Sequence, residues 1–331
     1  MSQNRRSFLK KMGLGTLAVS VLPLAWNCTG SESENKTSNT SPGEVGLQLF
    51  TLRDILPNNV FETLTHVSTM GYTHIETYGI QNDGKTGEFL GYSLAEFQGF
   101  LEKAQIKTYS GHYDLATYLH PDKADKTSLE FALRTAKALG QSYVIAPVPP
   151  IELVNELGAK EYEWMAQQLN EAGKMAQDQG IHIGYHNHFW EFRTLSDGRK
   201  GLDILIEQTD ENLVVFEMDL FWTERAGLSN IDYFKKYPGR FPLWHLKDMD
   251  PAFNQPMLGP DLDILPLDSL NQRIRYKEVG AGSIDFNAIW QERTLAGAKH
   301  FYVEQDHIEK DKLTSIEQSL RYVEKELLSK G

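Results

Sequence analysis

"HIGYHNHFWEF", residues 182–192, carries an apolar run into His186-Asn187-His188, with Glu191 three residues further on. The run has the length of one buried strand, and side chains able to bind a metal stand at its carboxyl end. By itself the group fits a hydrogen-bonded core pair as well as one wall of an active site. The neighbouring segments decide between these readings.

Short apolar runs of the same kind recur along the chain. They are "VGLQLF" (45–50), "HIETYG" (74–79), "KTYSGHY" (107–113), "YVIAPV" (143–148), "HIGYHNH" (182–188), "LVVFEMDL" (213–220), "PLWHLKD" (242–248) and "HFYVEQD" (300–306). Between most of them lies a helix-length pattern. In "EYEWMAQQLNEAGKMAQDQG" (161–180), Trp164, Leu169, Ala172 and Ala176 mark one apolar face, and Gly180 gives a stop signal. Strands alternating with helices make βα units and a parallel sheet. Eight of them in about 260 residues predict a closed (β/α)8 TIM barrel over 44–331. An open doubly wound sheet is the rival, but no Gly-rich phosphate fingerprint follows the first strand. The stretch 249–284 reads as an elaborated loop after strand seven, of the kind that builds sites.

Polar residues gather at the carboxyl ends of these strands: Glu76, His112, His186/His188/Glu191, Glu217/Asp219, His245/Lys247/Asp248 and Glu304/Asp306. A parallel barrel brings all those ends to one rim, where barrel enzymes carry their chemistry. For a metal, four carriers stand out: an acid from strand five, Asp219 from six, His245 from seven and Glu304 from eight. Three carboxylates and one imidazole suit Mn²⁺, Mg²⁺, Co²⁺ or Zn²⁺. A cation also offsets the repulsion among acids that share a low-dielectric pocket.

The segments "YHNHFWEF", "EMDLFW", "WHLKD", "EVGAGSIDF" and "YVEQD" resemble the motifs of the xylose isomerase-like barrel superfamily, and more narrowly of its sugar phosphate isomerases/epimerases. The resemblance spans about residues 44–328 and implies a metal set of Glu, Asp, His and Glu from strands five to eight. Asp219, His245 and Glu304 match that set directly. Many epimerases have a glutamate within strand five, where this chain has His186-Asn187-His188. Glu191 is the expected fourth ligand, with His186 or His188 as rivals. Glu304 is expected to accept the substrate proton, opposed by Glu191 or His188. His112, His186, Trp222, Lys247 and Glu278 are the expected substrate contacts, and a salt bridge to Asp248 competes for Lys247. Trp222 stands where such epimerases often have a histidine. The Gly280-x-Gly282 turn reads as close to the site. The implied activity is divalent-metal-dependent isomerisation or epimerisation of a carbohydrate, by removal of a proton next to a carbonyl. A keto-glycoside lyase or hydratase on the same site and a non-catalytic carbohydrate-binding lipoprotein are the alternatives.

Charge and the amino terminus bear on partners. The 331 residues hold 33 basic and 45 acidic side chains, a formal charge of −12. A polyanion would meet a repulsive average field, which argues against a nucleic-acid protein. "NRRSFLKKMGLGTLAVSVLPLAW" resembles a twin-arginine export signal, so residues 1–28 are expected to direct export from a bacterial cytoplasm. Cys28, the only cysteine, follows the apolar segment in "PLAWNC" and resembles a lipoprotein acceptor, with Trp26-Asn27 in place of the usual small residues. Residues 29–43 read as a flexible linker. The expectation is a periplasmic or lipid-anchored protein whose only membrane contact is Cys28. Phosphorylated sugars are scarce outside the cytoplasm and the chain shows no evident phosphate cradle, so a non-phosphorylated sugar or keto-sugar is the expected substrate.

Overall fold

The computed structural model describes residues 44–84, 87–257 and 273–330. The export segment, Cys28 and the linker lie outside them. Eight parallel strands close in chain order: β1 Gly46–Gln48, β2 His74–Thr77, β3 Lys107–His112, β4 Tyr143–Ala146, β5 His182–His186, β6 Val214–Asp219, β7 Leu243–Leu246 and β8 His300–Val303. Closure comes from β1, which pairs with both β2 and β8. Each strand falls within one of the eight apolar runs. Among the described residues no helix is long and apolar enough to cross a membrane.

A helix follows each strand: α1 Val60–Met70, α2 Leu94–Ala104, α3 Lys126–Leu139, α4 Ala159–Gln177, α5 Gly201–Gln208, α6 Asn230–Lys236, α7 Phe286–Gln291 and α8 Lys312–Tyr322. Short polar side chains start many of them by accepting an otherwise unpaired backbone N–H, as Asn59 does for α1 and Asp125 for α3. Ser93 and Glu96 form a reciprocal capping box on α2. On α4, Leu169, Ala172 and Ala176 are fully buried and Trp164 is half-buried against the same core.

Alternate residues of each strand project into the barrel, and this period sorts its contents by level. At the amino end Tyr143, Ile145, Leu243 and Tyr302 form a small core of their own. The rings of His74 and His300 stand against it, with His74 5.0 Å from Tyr302 and His300 5.4 Å from Tyr143. Gly46 makes room there: a Cβ at this position would lie 2.5 Å from the His74 ring and 2.7 Å from Tyr302. Two residues further along, the same rows turn polar, as Leu243 gives way to His245, Tyr302 to Glu304 and His74 to Glu76.

After β7 the chain makes a two-stranded antiparallel ribbon, Asp248–Met249 against Tyr276–Lys277. The Asp248 carboxylate accepts the N–H groups of Gly280 and Gly282, both at 2.9 Å, and of Ile284 at 3.1 Å. The glycine turn thus wraps a carboxylate of its own chain. A Cβ on Gly282 would overlap Asp248 at 2.2 Å, so this turn demands glycine.

Candidate active site

At the carboxyl rim the polar rows meet across the barrel. Glu217 on β6 is the hub of the deeper level. Its Oε2 lies 2.7 Å from His112 Nε2, 3.1 Å from His186 Nδ1 and 3.2 Å from His245 Nε2. Glu76 Oε2 accepts from Gln48 Nε2 at 2.6 Å and from His245 Nε2 at 2.8 Å. These two carboxylates are wholly buried side by side, and they titrate apart. Burial and the charge of Glu217 raise Glu76 above the usual carboxylate range. Burial would raise Glu217 too, but His245 and His112 outweigh it and hold Glu217 well below that range.

The level above opens toward solvent. His245 Nδ1 is 2.8 Å from Glu304 Oε2, and His186 Nε2 is 3.7 Å from Asp219 Oδ2. The Lys247 ammonium sits 2.8 Å from Asp219, 2.7 Å from Glu304 and 3.0 Å from Asp306. Burial opposes the charge on Lys247, but Asp219 and Asp306 hold its pKa well above the usual range. Glu304 is pushed up by burial, then carried well below its usual range by Lys247 and His245. Burial raises Asp219 to about 6 against the pull of Lys247. His245 is held well above 6.5 because Glu217 and Glu304 overcome its burial. His188 is held well below 6.5, by burial first and then by His186.

Two groups of metal-ligating side chains close within 4.8 Å among the described residues: His186, Asp219, His245 and Glu304, and the deeper His112, His186, Glu217 and His245. The upper group borders a cavity of about 340 Å³ lined by His112, His186, His188, Lys247 and Glu304. Two imidazoles and two carboxylates are donors that fit a divalent ion of borderline softness. In the upper group each histidine turns its other ring nitrogen toward Glu217, which is the carboxylate–histidine pairing that fixes ligand tautomers in metal sites. Buried oxygens Oε1 of Glu76 and of Glu217 have no hydrogen-bond partner among the described residues, a second sign of a site built around positive charge.

The expected site residues sort unevenly. His112, His186, His188, Lys247 and Glu304 line the inner cavity, and Asp219 and His245 belong to the same group. Glu191 is in neither metal group: its carboxylate accepts the Tyr185 hydroxyl at 2.6 Å and the His188 N–H at 2.8 Å. The 3₁₀ turn at Trp190–Phe192 folds Glu191 back under the strand, and burial raises it to about 7. The structure therefore places His186, not Glu191, beside Asp219, His245 and Glu304. Glu278 lines neither cavity of the rim and is bound by Ser315 at 2.7 Å and Lys310 at 3.0 Å. Lys247 pairs with Asp219, Glu304 and Asp306, while Asp248 is occupied by backbone N–H groups. Trp222 lines a second, outer cavity. Gln48 had no signal beyond its place at a strand end. Glu217 showed in the rim pattern, but nothing local marked it as the hub.

Comparisons with known proteins agree with this architecture. The chain matches the family described as xylose isomerase-like TIM barrel over residues 64–325. An inosose dehydratase of Clostridium botulinum is 32% identical over 154 residues, 44% of this chain and 49% of that protein. One of Clostridium perfringens is 29% identical over 138 residues, 41% and 43% of the two chains. The chain thus spans about half the length of the relatives it matches. Among solved structures, a sugar phosphate isomerase/epimerase from Parabacteroides distasonis superposes with a TM-score of 0.70 at 21% identity, over 88% of this chain and 97% of that one. An L-ribulose 3-epimerase gives 0.61 at 13% identity, over 87% and 95%. By the extent of the family match, the chain belongs to the xylose isomerase-like TIM barrel family.

Proposed function

We propose that this protein is a divalent-metal-dependent enzyme that enolises a non-phosphorylated sugar or keto-sugar, and so acts as an isomerase or epimerase. The observation that carries the reading is the meeting of His186, Asp219, His245 and Glu304 beside a cavity sized for one small molecule. These four residues would hold the metal. With His186 in the set, Zn²⁺, Co²⁺ or Mn²⁺ suits the donors better than Mg²⁺, which prefers oxygen ligands throughout. When bound, the ion would polarise a carbonyl and its neighbouring hydroxyl and acidify the C–H between them.

The chain's own groups do the rest. Glu304 is the proton acceptor, kept ionised by Lys247 and His245. Lys247, a buried cation on the cavity wall, stabilises negative charge that develops on a substrate oxygen. His188 lines the same cavity and is the second acid/base, the role for which Glu191 is too firmly bonded to Tyr185. A proton returned to the same carbon from the other face gives an epimer; one returned to the neighbouring carbon gives an isomer. Export and a lipid anchor at Cys28 belong to this proposal and fit a substrate without phosphate.

A second reading is elimination; its dehydration form is favoured by the relatives named inosose dehydratase, and glycoside elimination is the same step with another leaving group. It shares the proton removal and differs only in loss of a β-substituent. The experiment for both is proton exchange. Metal-loaded protein in D₂O, followed by NMR with a panel of neutral sugars, keto-sugars and glycosides, should place deuterium next to a carbonyl, and the product names the branch. No exchange and no conversion across the panel would replace the enzyme reading with a carbohydrate-binding one.

A further inference from the structure

The inner cavity is not alone at the rim. An outer cavity of about 690 Å³ shares Phe50, His188 and Asp306 with it, so the two adjoin. None of the four candidate metal ligands lines the outer one. Its wall is aromatic instead: the His188 ring stacks on Trp190 with centroids 4.6 Å apart at 14°, and lies 5.6 Å from Trp222. Aromatic faces of this kind pack on the C–H faces of sugars and on other rings.

The charges around it are of both signs and already engaged. Arg53 donates to the backbone oxygens of Phe50 at 3.0 Å and Asp306 at 2.6 Å. Arg275 donates to the Ile274 oxygen at 2.8 Å and stands 3.9 Å from Glu309. Asp306 receives the Tyr276 hydroxyl and the Lys247 ammonium. Such a rim is matched to a neutral ligand. Cavities of about 300–1,000 Å³ are the usual size for small ligands, so each of the two holds a unit of its own.

We infer that the substrate is longer than one ring: a neutral keto-glycoside whose carbonyl-bearing sugar fills the inner cavity and whose aglycone, a second sugar or an aromatic ring, lies on the His188–Trp190–Trp222 wall. This rests on the proposed function for the inner cavity and adds the substrate class. His188, which borders both cavities, then stands beside the linkage between the two units.

The test is isothermal titration of the metal-loaded protein with D-glucose and with phenyl β-D-glucoside. The wild type should bind the phenyl glucoside at least about tenfold tighter. His307 and Glu309 are exposed positions on the outer cavity alone. The double variant His307→Trp/Glu309→Trp fills it there, with folding checked by thermal melting. In that variant the preference should vanish while glucose binding stays as in the wild type. Equal affinities in the wild type, no binding of the phenyl glucoside at millimolar concentration, or a preference that survives the filling would each overturn the inference. Deuterium exchange with a keto-hexose reads the inner site separately: exchange with equal affinities removes the outer subsite only, and a phenyl preference without exchange removes the enolisation reading only.

Discussion

The two ends of this barrel hold the same kind of side chain in opposite company. At the amino end, His74 and His300 stand 5.9 Å apart among Tyr109, Tyr143 and Tyr302, and no carboxylate among the described residues bonds either ring. Burial drives His74 to about 3 and His300 to about 4, and neither ring is charged at neutral pH. At the carboxyl end, the partly buried His112 and the buried His245 face Glu76, Glu217 and Glu304 and are held above 6.5 despite their burial. An imidazole is therefore a packing ring at one end, and at the other it stands among carboxylates that favour a proton or a metal on it. The neighbours decide which, and only one end has the neighbours for chemistry.

Direct removal of a candidate ligand is the strongest way to break this contrast. Asp219→Asn and His245→Ala should each lose bound divalent metal by more than about 100-fold, beyond what outer partners give. Elemental analysis after desalting measures it, and wild-type metal content in both variants would sink the carboxyl-end site. Glu217→Gln should fall next in size. It keeps all four candidate ligands but weakens the carboxylate that both histidines face, so metal affinity should drop about 10–100-fold. An unchanged affinity would reduce Glu217 to packing.

The amino end makes a pH prediction. A folded state that holds His74 and His300 below 6.5 binds fewer protons than the unfolded chain at acidic pH. Their contribution to stability is therefore complete above pH 6.5 and is lost as pH falls toward 4 and 3, by about 1.4 kcal/mol per pH unit for each ring. Denaturant unfolding of the wild type and of His300→Phe measures the share of one ring, since the variant lacks it and should lose less stability on acidification. The smallest effect is the stability of His300→Phe itself at pH 7. Both nitrogens of His300 are buried without a hydrogen-bond partner among the described residues, so a phenyl ring should cost less than about 1.5 kcal/mol. A much larger loss would mean that the amino-end histidines are not mere packing rings.

Much of this was legible in the residues. All eight strands were readable because an apolar run between helix-length patterns is a local signal, and the rim followed from noting which strand ends turn polar. Asp219, His245 and Glu304 lie on or just past strands, where direction follows from alternation, and they came together. Glu191 did not join them because a 3₁₀ turn after β5 redirects its side chain toward Tyr185. Glu278 was drawn to α8 and Lys310, partners more than thirty positions away. No spacing rule reaches either contact.

Sequence alone determined the order of βα units, the acidic charge balance and the set of rim side chains, because each depends on local periodicity or on composition. Tertiary structure decided which of those side chains face one another: His186 in place of Glu191, Glu217 as the hub, Lys247 between two carboxylates. The reason is geometric. Closing a barrel makes neighbours of residues far apart in the chain, 169 positions in the case of Glu76 and His245, and their pairing depends on strand register and on a single turn of backbone.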